Sequence, residues 1–229
     1  MAQTLLIISA SPSDFIWEAG ATIARYVKEG HTVYSIILTD GDGAERDTAQ
    51  KEVRQAASIL GVATTRFCGY AAAPLTMDAS RCEELACRIR EIRPDCIITH
   101  AKEKDMDQPN NFYTSEAVRC AYTIASAAGA ACGGLAVSPR QTPMFGFEPH
   151  APEIVGWRPG FMIDATDFWT MKEQAMAALK SESSRIPVAT EKARIRGVHC
   201  AGRGGKTGCK YAEAFSSYGP IYAHGYFVW

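Results

Sequence analysis

Ser11, Ser13 and Asp14 stand together directly after the apolar run Leu5-Leu6-Ile7-Ile8, in a Ser/Pro/Ser/Asp turn that leads into a helical pattern. Asp42 occupies a comparable turn, Thr39-Asp40-Gly41-Asp42-Gly43, after a second apolar run. Two carboxylates on neighbouring loops can share general acid–base work or hold a metal ion. The competing reading is that each only caps the helix after it, a common role for Asp. His100 closes a fourth apolar run, and His150 lies in the proline-rich stretch Phe147-Glu148-Pro149-His150-Ala151-Pro152-Glu153. Loop histidines among carboxylates suit proton transfer near neutral pH, although a solvated or structural imidazole would look the same in sequence. His31 follows a helix end and reads as a dipole partner. Gly202–Gly208, with Arg203 and Lys206, could form a backbone nest for an anion or a plain solvated loop. It lacks the residue order of a phosphate-binding P-loop.

These residues need elements to hold them. Thr4–Ser9, Thr32–Leu38, Thr64–Cys68 and Cys96–Thr99 read as strands, with Pro143–Phe147 and Phe161–Asp164 as further ones. Between them, Phe15–Glu29, Thr48–Leu60, Asp78–Ile92 and Asn111–Ala128 carry helical spacing, with Gly30, Gly61 and Gly129 as stops. Thr166 is expected to cap a helix reaching Ser181, and a last helix spans Val188–Arg196 before the glycine-rich stretch and Tyr211–Phe215. Strand–helix alternation predicts an α/β fold with a parallel sheet and right-handed crossovers. The loops starting near Ser9, Thr39 and Thr99 then open on one sheet edge, where open α/β sheets bind ligands.

Composition narrows the classes further. The chain of 229 residues is 47% hydrophobic and 21% charged, with formal net charge −1. That suits one globular domain, with residues 185–229 as a C-terminal subregion, and gives no overall pull toward nucleic acid or anionic membrane. No apolar run is long enough for a membrane span, and Leu5–Ile8 is too short for a signal peptide, so a cytoplasmic protein is expected. The eight cysteines form no C-x-x-C pair and are read as reduced, mostly buried thiols. The aromatic tail Tyr222–Trp229 is expected to pack on the body or on a neighbouring subunit, which suggests a homo-oligomer.

The order of these segments resembles the PIG-L/LmbE superfamily. The resemblance is carried by Ala19-Gly20-Ala21-Thr22-Ile23-Ala24, Gly30-His31-Thr32-Val33, Leu38-Thr39-Asp40-Gly41, Ile59-Leu60-Gly61, Arg93-Pro94-Asp95 and Thr99-His100. Asp164 through Lys172 and Tyr211-Ala212-Glu213-Ala214-Phe215 look like its closing segments. It implies a Rossmann-like three-layer sandwich with a mostly parallel sheet, and zinc-dependent de-N-acetylase ancestry. Within the superfamily, Ser9 through Trp17, Phe147 through Glu153, Trp157-Arg158-Pro159 and Arg196-Gly197-Val198 resemble the 4-oxalomesaconate hydratase branch of gallate catabolism. That branch implies Asp42 and His150 as the acid–base pair.

The departures from the superfamily pattern are chemical. Ser11 stands where a metal-binding His is usual, Ser13 where the catalytic Asp is usual, and Asn111 at the position of the third ligand. A hydroxyl, a carboxamide and the single carboxylate of Asp14 make a poor zinc site. No cofactor is therefore expected; a weakened zinc site would need His100, Asp105 or Asp107 beside Asp14. The leading expectation is a lyase or hydratase, or an isomerase, acting on a small unsaturated oxo-di- or tricarboxylate. In it Asp42 is the base, His150 the acid, and Asp14 positions water or substrate. Ser11, Ser13, His100, Asn111 and Glu148 line the site, and Arg196 or Arg203 binds carboxylate. A divergent metal-dependent deacetylase and a non-catalytic binding protein are the alternatives.

Overall fold

The computed structural model describes residues 2–41, 46–72, 75–104, 108–130 and 132–219. In chain order these contain β1 (Thr4–Ser9), α1 (Asp14–Lys28), β2 (Thr32–Thr39), α2 (Arg46–Leu60), β3 (Thr64–Tyr70), α3 (Ala79–Ile92), β4 (Cys96–Thr99) and α4 (Pro109–Ala125). β5 (Met144–Phe147), β6 (Phe161–Asp164), α5 (Trp169–Ala178), α6 (Ile186–Arg203) and β7 (Ala212–Ser217) follow.

All seven strands form one sheet in the order β3-β2-β1-β4-β5-β7-β6. The first five run parallel, whereas β7 runs antiparallel to both β5 and β6. Side chains alternate across a strand, and β1 uses that alternation fully. Leu5 and Ile7 enter a core with α1, α2 and α5, and Leu6 and Ile8 enter a second core with α3 and α4. A continuous apolar run fits a strand covered on both faces, which is why β1 sits in the middle of a three-layer α/β sandwich.

The segment expected as one helix from Thr166 to Ser181 is divided. A 3-10 turn at Thr166–Phe168 precedes α5, and a 3-10 segment at Lys180–Arg185 joins α5 to α6. Leu179 and Glu182 leave helical geometry, and that break turns the chain toward α6. α6 itself runs on to Arg203 rather than stopping at Arg196. Its internal Gly197 has a packing reason: a Cβ there would lie 2.3 Å from the carbonyl oxygen of Lys210. The backbone entering β7 crosses the helix at that point, and only glycine leaves room.

The thiol expectation is corrected at one pair. Cys87 and Cys132 form a disulfide across 45 residues. The segment after α4 folds back onto α3 and brings them together, and sequence spacing carries no trace of it. Cys68, Cys82, Cys96, Cys120, Cys200 and Cys209 are free, and Cys82, Cys200 and Cys209 are buried. His31 accepts the Gln3 amide at Nδ1 (3.1 Å) and packs on the Tyr26 ring, a structural position. Among the described residues no helix is long and apolar enough to cross a membrane.

Candidate active site

β1 and β4 are adjacent in the sheet, and their connections leave in opposite directions, to β2 on one side and β5 on the other. That switch point is the natural crevice of an open parallel sheet. There the turn after β1 meets the end of β4. Asp14, the first residue of α1, accepts the Ser11 amide at 2.7 Å, and its Oδ2 lies 3.1 Å from His100 Nε2. The Ala10 amide also donates to His100 Nε2, at 2.9 Å. One ring nitrogen serves the amide with a lone pair or the carboxylate with a proton, not both at once. In either state that nitrogen is engaged by the protein.

Burial pushes the Asp14 carboxyl up, but the hydrogen bond and charge of His100, the Ser11 amide and the charge of Arg185 outweigh it and hold the pKa below the usual value. Asp14 therefore stays ionised as a fixed acceptor. Around it, Ser13 is buried and its carbonyl accepts the Ile16 and Trp17 amides, so it starts α1 through its backbone. Ser11 is half-buried, and Asn111 is buried in the first turn of α4, the helix that follows β4. Thr39 at the end of β2 donates its hydroxyl to the Ala10 carbonyl at 2.9 Å, tying the second loop to the first. Asp42, Asp105 and Asp107 lie outside the described residues.

The proline-rich stretch leaves β5 at the same sheet edge and carries His150 to Arg185. The guanidinium lies 3.1 Å from His150 Nε2, donates to Glu182 at 2.5 Å and stacks 4.8 Å over the Trp17 ring. The Trp17 indole in turn donates to Glu182 at 3.1 Å. Lys192 pairs with Glu18 at 2.7 Å, and its charge holds the Glu18 carboxyl below its usual pKa despite the opposing effect of burial. His150 stands near enough to Glu18 that its protonated form would add to this effect. Loop and α1 thus share one electrostatic surface.

Three of the expected substrate contacts lie away from His150 or are paired within the protein. Arg196 and Glu148 are occupied with each other: Nη2 meets Oε1 at 2.5 Å and Nε meets Oε2 at 3.0 Å. The cavity beside them, also lined by Lys172 and Glu213, is about 20 Å³, space for one water rather than a substrate. Arg203 ends α6, an 18-residue helix, so it stands about 27 Å from the Arg185 end. The Gly202–Gly208 nest is absent as well. The Gly204 and Lys206 amides donate to Cys200 O and Thr207 to Gly205 O, so this stretch terminates α6.

The family-like segments without an assigned role meet in a second, buried cluster. Glu213 at the start of β7 accepts the Ala21 and Thr22 amides and the Thr22 hydroxyl, and pairs with Lys172 at 2.7 Å. Lys172 also donates to the Trp17 carbonyl at 2.6 Å. Its stem passes so near Gly20 that a Cβ would sit 3.1 Å from Cγ. These residues anchor α1, and with it Asp14 and Trp17, to β7. Arg185, Lys192 and Glu18 had no signal in the sequence beyond being charged; Glu213 and Lys172 lay in the quoted segments without a role.

As for a metal, the described donors on the loops after β1 and β4 are the Ser11 hydroxyl, the Asn111 carboxamide, Asp14 and His100, and Asp14 Oδ2 and His100 Nε2 are already engaged with each other and with the Ser11 and Ala10 amides. One carboxylate and one imidazole, both so engaged, are fewer ligands than a zinc site needs. Among the described residues no group of three or more His, Cys, Asp or Glu side chains could hold a metal ion.

Comparison with known proteins agrees with this architecture. The chain is 28% identical to a 4-oxalmesaconate hydratase of Pseudomonas putida KT2440, over 95% of its own length and 90% of that protein's. Its structure is similar to that of GalB, the 4-carboxy-2-hydroxymuconate hydratase of the same organism, with TM-score 0.90, 26% identity and coverage of 98% and 100% of the two chains. It shares the fold of the N,N'-diacetylchitobiose deacetylase of Pyrococcus horikoshii, with TM-score 0.80, 19% identity and coverage of 94% and 84%. The family model described as PIG-L, GlcNAc-PI de-N-acetylase, matches residues 6–122, which run from within β1 through most of α4 and include the loops that follow β1 and β4. The chain belongs to the PIG-L family.

Proposed function

We propose that this chain is a lyase of the hydratase type, adding water to or removing it from a small unsaturated oxo-di- or tricarboxylate without the family zinc. The observation that carries the reading is the position of His150 beside the Arg185 guanidinium, whose charge also acts on Asp14 at the start of α1. Similarity to the two hydratases along nearly the whole chain, including the His150 segment beyond the matched family model, supports it.

In the proposed reaction, Asp42 takes a proton from water as the oxygen adds to the alkene carbon conjugated with the carbonyl. His150 gives a proton to the neighbouring carbon; dehydration reverses both transfers. Asp14, held ionised, orients His100 and the water. The partner is a small carboxylate, with no role for nucleic acid or membrane, and a cytoplasmic homo-oligomer is the proposed setting. Isomerase chemistry on the same acids would use the same pair.

A panel of unsaturated oxo-acids followed by ultraviolet absorbance tests the reading, and turnover of none of them would remove it. His150→Ala should abolish turnover with little change in the urea midpoint, whereas an unchanged rate would strip His150 of its role. Metal analysis of the purified protein separates the chemistries: a full equivalent of tightly held zinc would point to amide hydrolysis instead.

A further inference from the structure

Three cations of the α6 region face α1 and the His150 loop, each with an acidic partner: Arg185 with Glu182, Lys192 with Glu18 and Arg196 with Glu148. Their side chains are 35%, 24% and 13% exposed in that order, so access rises toward the start of the helix. Arg196 is bidentate on its carboxylate and closed off, and the Lys192 ammonium is shared between Glu18 and the Glu148 carbonyl. Arg185 differs in kind. One arm of its guanidinium holds Glu182, and the other, Nη2, rests on the His150 Nε2. A guanidinium has only donors, so this contact requires a lone pair on the imidazole, a neutral acceptor.

We propose that Arg185 is the carboxylate-binding residue of this site, and that an incoming carboxylate takes the place of His150 Nε2 on its free arm. The inference rests on the hydratase reading only for the identity of the reacting acid. Exchange of a neutral acceptor for an anionic one is favourable, because it adds the attraction of opposite charges to a hydrogen bond that the guanidinium already makes. It also releases the Nε2 lone pair, which can take up a proton from solvent once substrate is bound and so give His150 the proton it passes to carbon. Stacking on Trp17 and the Glu182 bond hold the rest of the side chain, so the exchange needs no large movement. The anion would arrive beside His150, the expected proton donor.

Calorimetric titration with tricarballylate, a saturated tricarboxylate that cannot be hydrated, tests this without turnover. The wild type should bind it, Arg185→Met should weaken binding by at least about tenfold, Arg185→Lys should restore part of the loss, and Arg203→Met should bind as the wild type does. Circular dichroism and the urea midpoint establish that the variants fold; if Arg185→Met does not, the Arg185→Lys and Arg203→Met comparison decides. Equal binding by wild type and Arg185 variants, or no binding by the wild type at millimolar concentration, overturns the proposal. If no oxo-acid is hydrated but tricarballylate binding depends on Arg185, the carboxylate site stands and the hydratase reading falls. If hydration occurs and its KM ignores Arg185→Met, the reverse holds.

Discussion

Asp14 and Glu18 lie one helical turn apart on α1, and both are kept ionised in surroundings that would otherwise favour the neutral acid. The cations responsible come from distant parts of the chain. For Glu18 the sign follows from its depressed value in the folded protein. The stabilisation is complete above the ordinary carboxyl value of 4.5 and is lost as pH falls through the lower folded value. Glu18→Gln should therefore be less stable than the wild type at neutral pH, with the difference shrinking below that range. Urea titrations at several pH values measure it; a gap independent of pH would mean that the Glu18–Lys192 pair does not control the ionisation. Asp14, His100 and His150 were legible as chemistry from residue type and loop position alone. Arg185 was not, because an arginine in a short serine-rich turn looks like any solvated charge until the fold sets it on an imidazole.

At the level of elements, the buried Glu213–Lys172 pair joins β7, α5 and α1. Removal of one partner of a buried pair strands the other charge, so Lys172→Met should cost about 3–5 kcal/mol, seen as a lower urea midpoint. Because α1 carries Asp14, activity should fall further than the loss of folded protein explains. α6 offers a separate test. Gly197→Ala places a Cβ against the Lys210 carbonyl and should cost about 1–3 kcal/mol through overpacking, while Gly202→Ala, where a Cβ meets nothing within 4 Å, should be neutral or slightly stabilising. The first four strands and four helices were readable because hydrophobic period agrees there with the glycine stops and with Pro94 after α3. The end of α6 was not: Gly197 and Gly202 look like breakers, and the crossing backbone that explains Gly197 is a tertiary fact.

For the whole molecule, the region after α4 is closed onto α3 by the Cys87–Cys132 bond and by Arg90, a buried residue one helical turn further on. Arg90 donates to the carbonyls of Ala125, Ala127, Ala130 and Leu135. A link across 45 residues restrains the unfolded chain, so reduction should destabilise the protein by about 2–4 kcal/mol. Urea melts with and without dithiothreitol check this, and a Cys87→Ser variant should melt like the reduced wild type and ignore the reductant. A reductant-insensitive wild type would show that the link contributes nothing.

The sequence by itself determined the α/β class, the loops at the carboxyl edge and the likeness to the PIG-L family. Those depend on local period, turn chemistry and residue type, which a chain carries without its partners. Only the tertiary structure decided that Arg196 and Glu148 neutralise each other, that Arg203 lies at the far end of α6, that Arg185 meets His150, and that Cys87 finds Cys132. Each of these is a pairing between residues far apart in the chain, and a charge or thiol shows nothing of its partner until packing brings the two within contact distance.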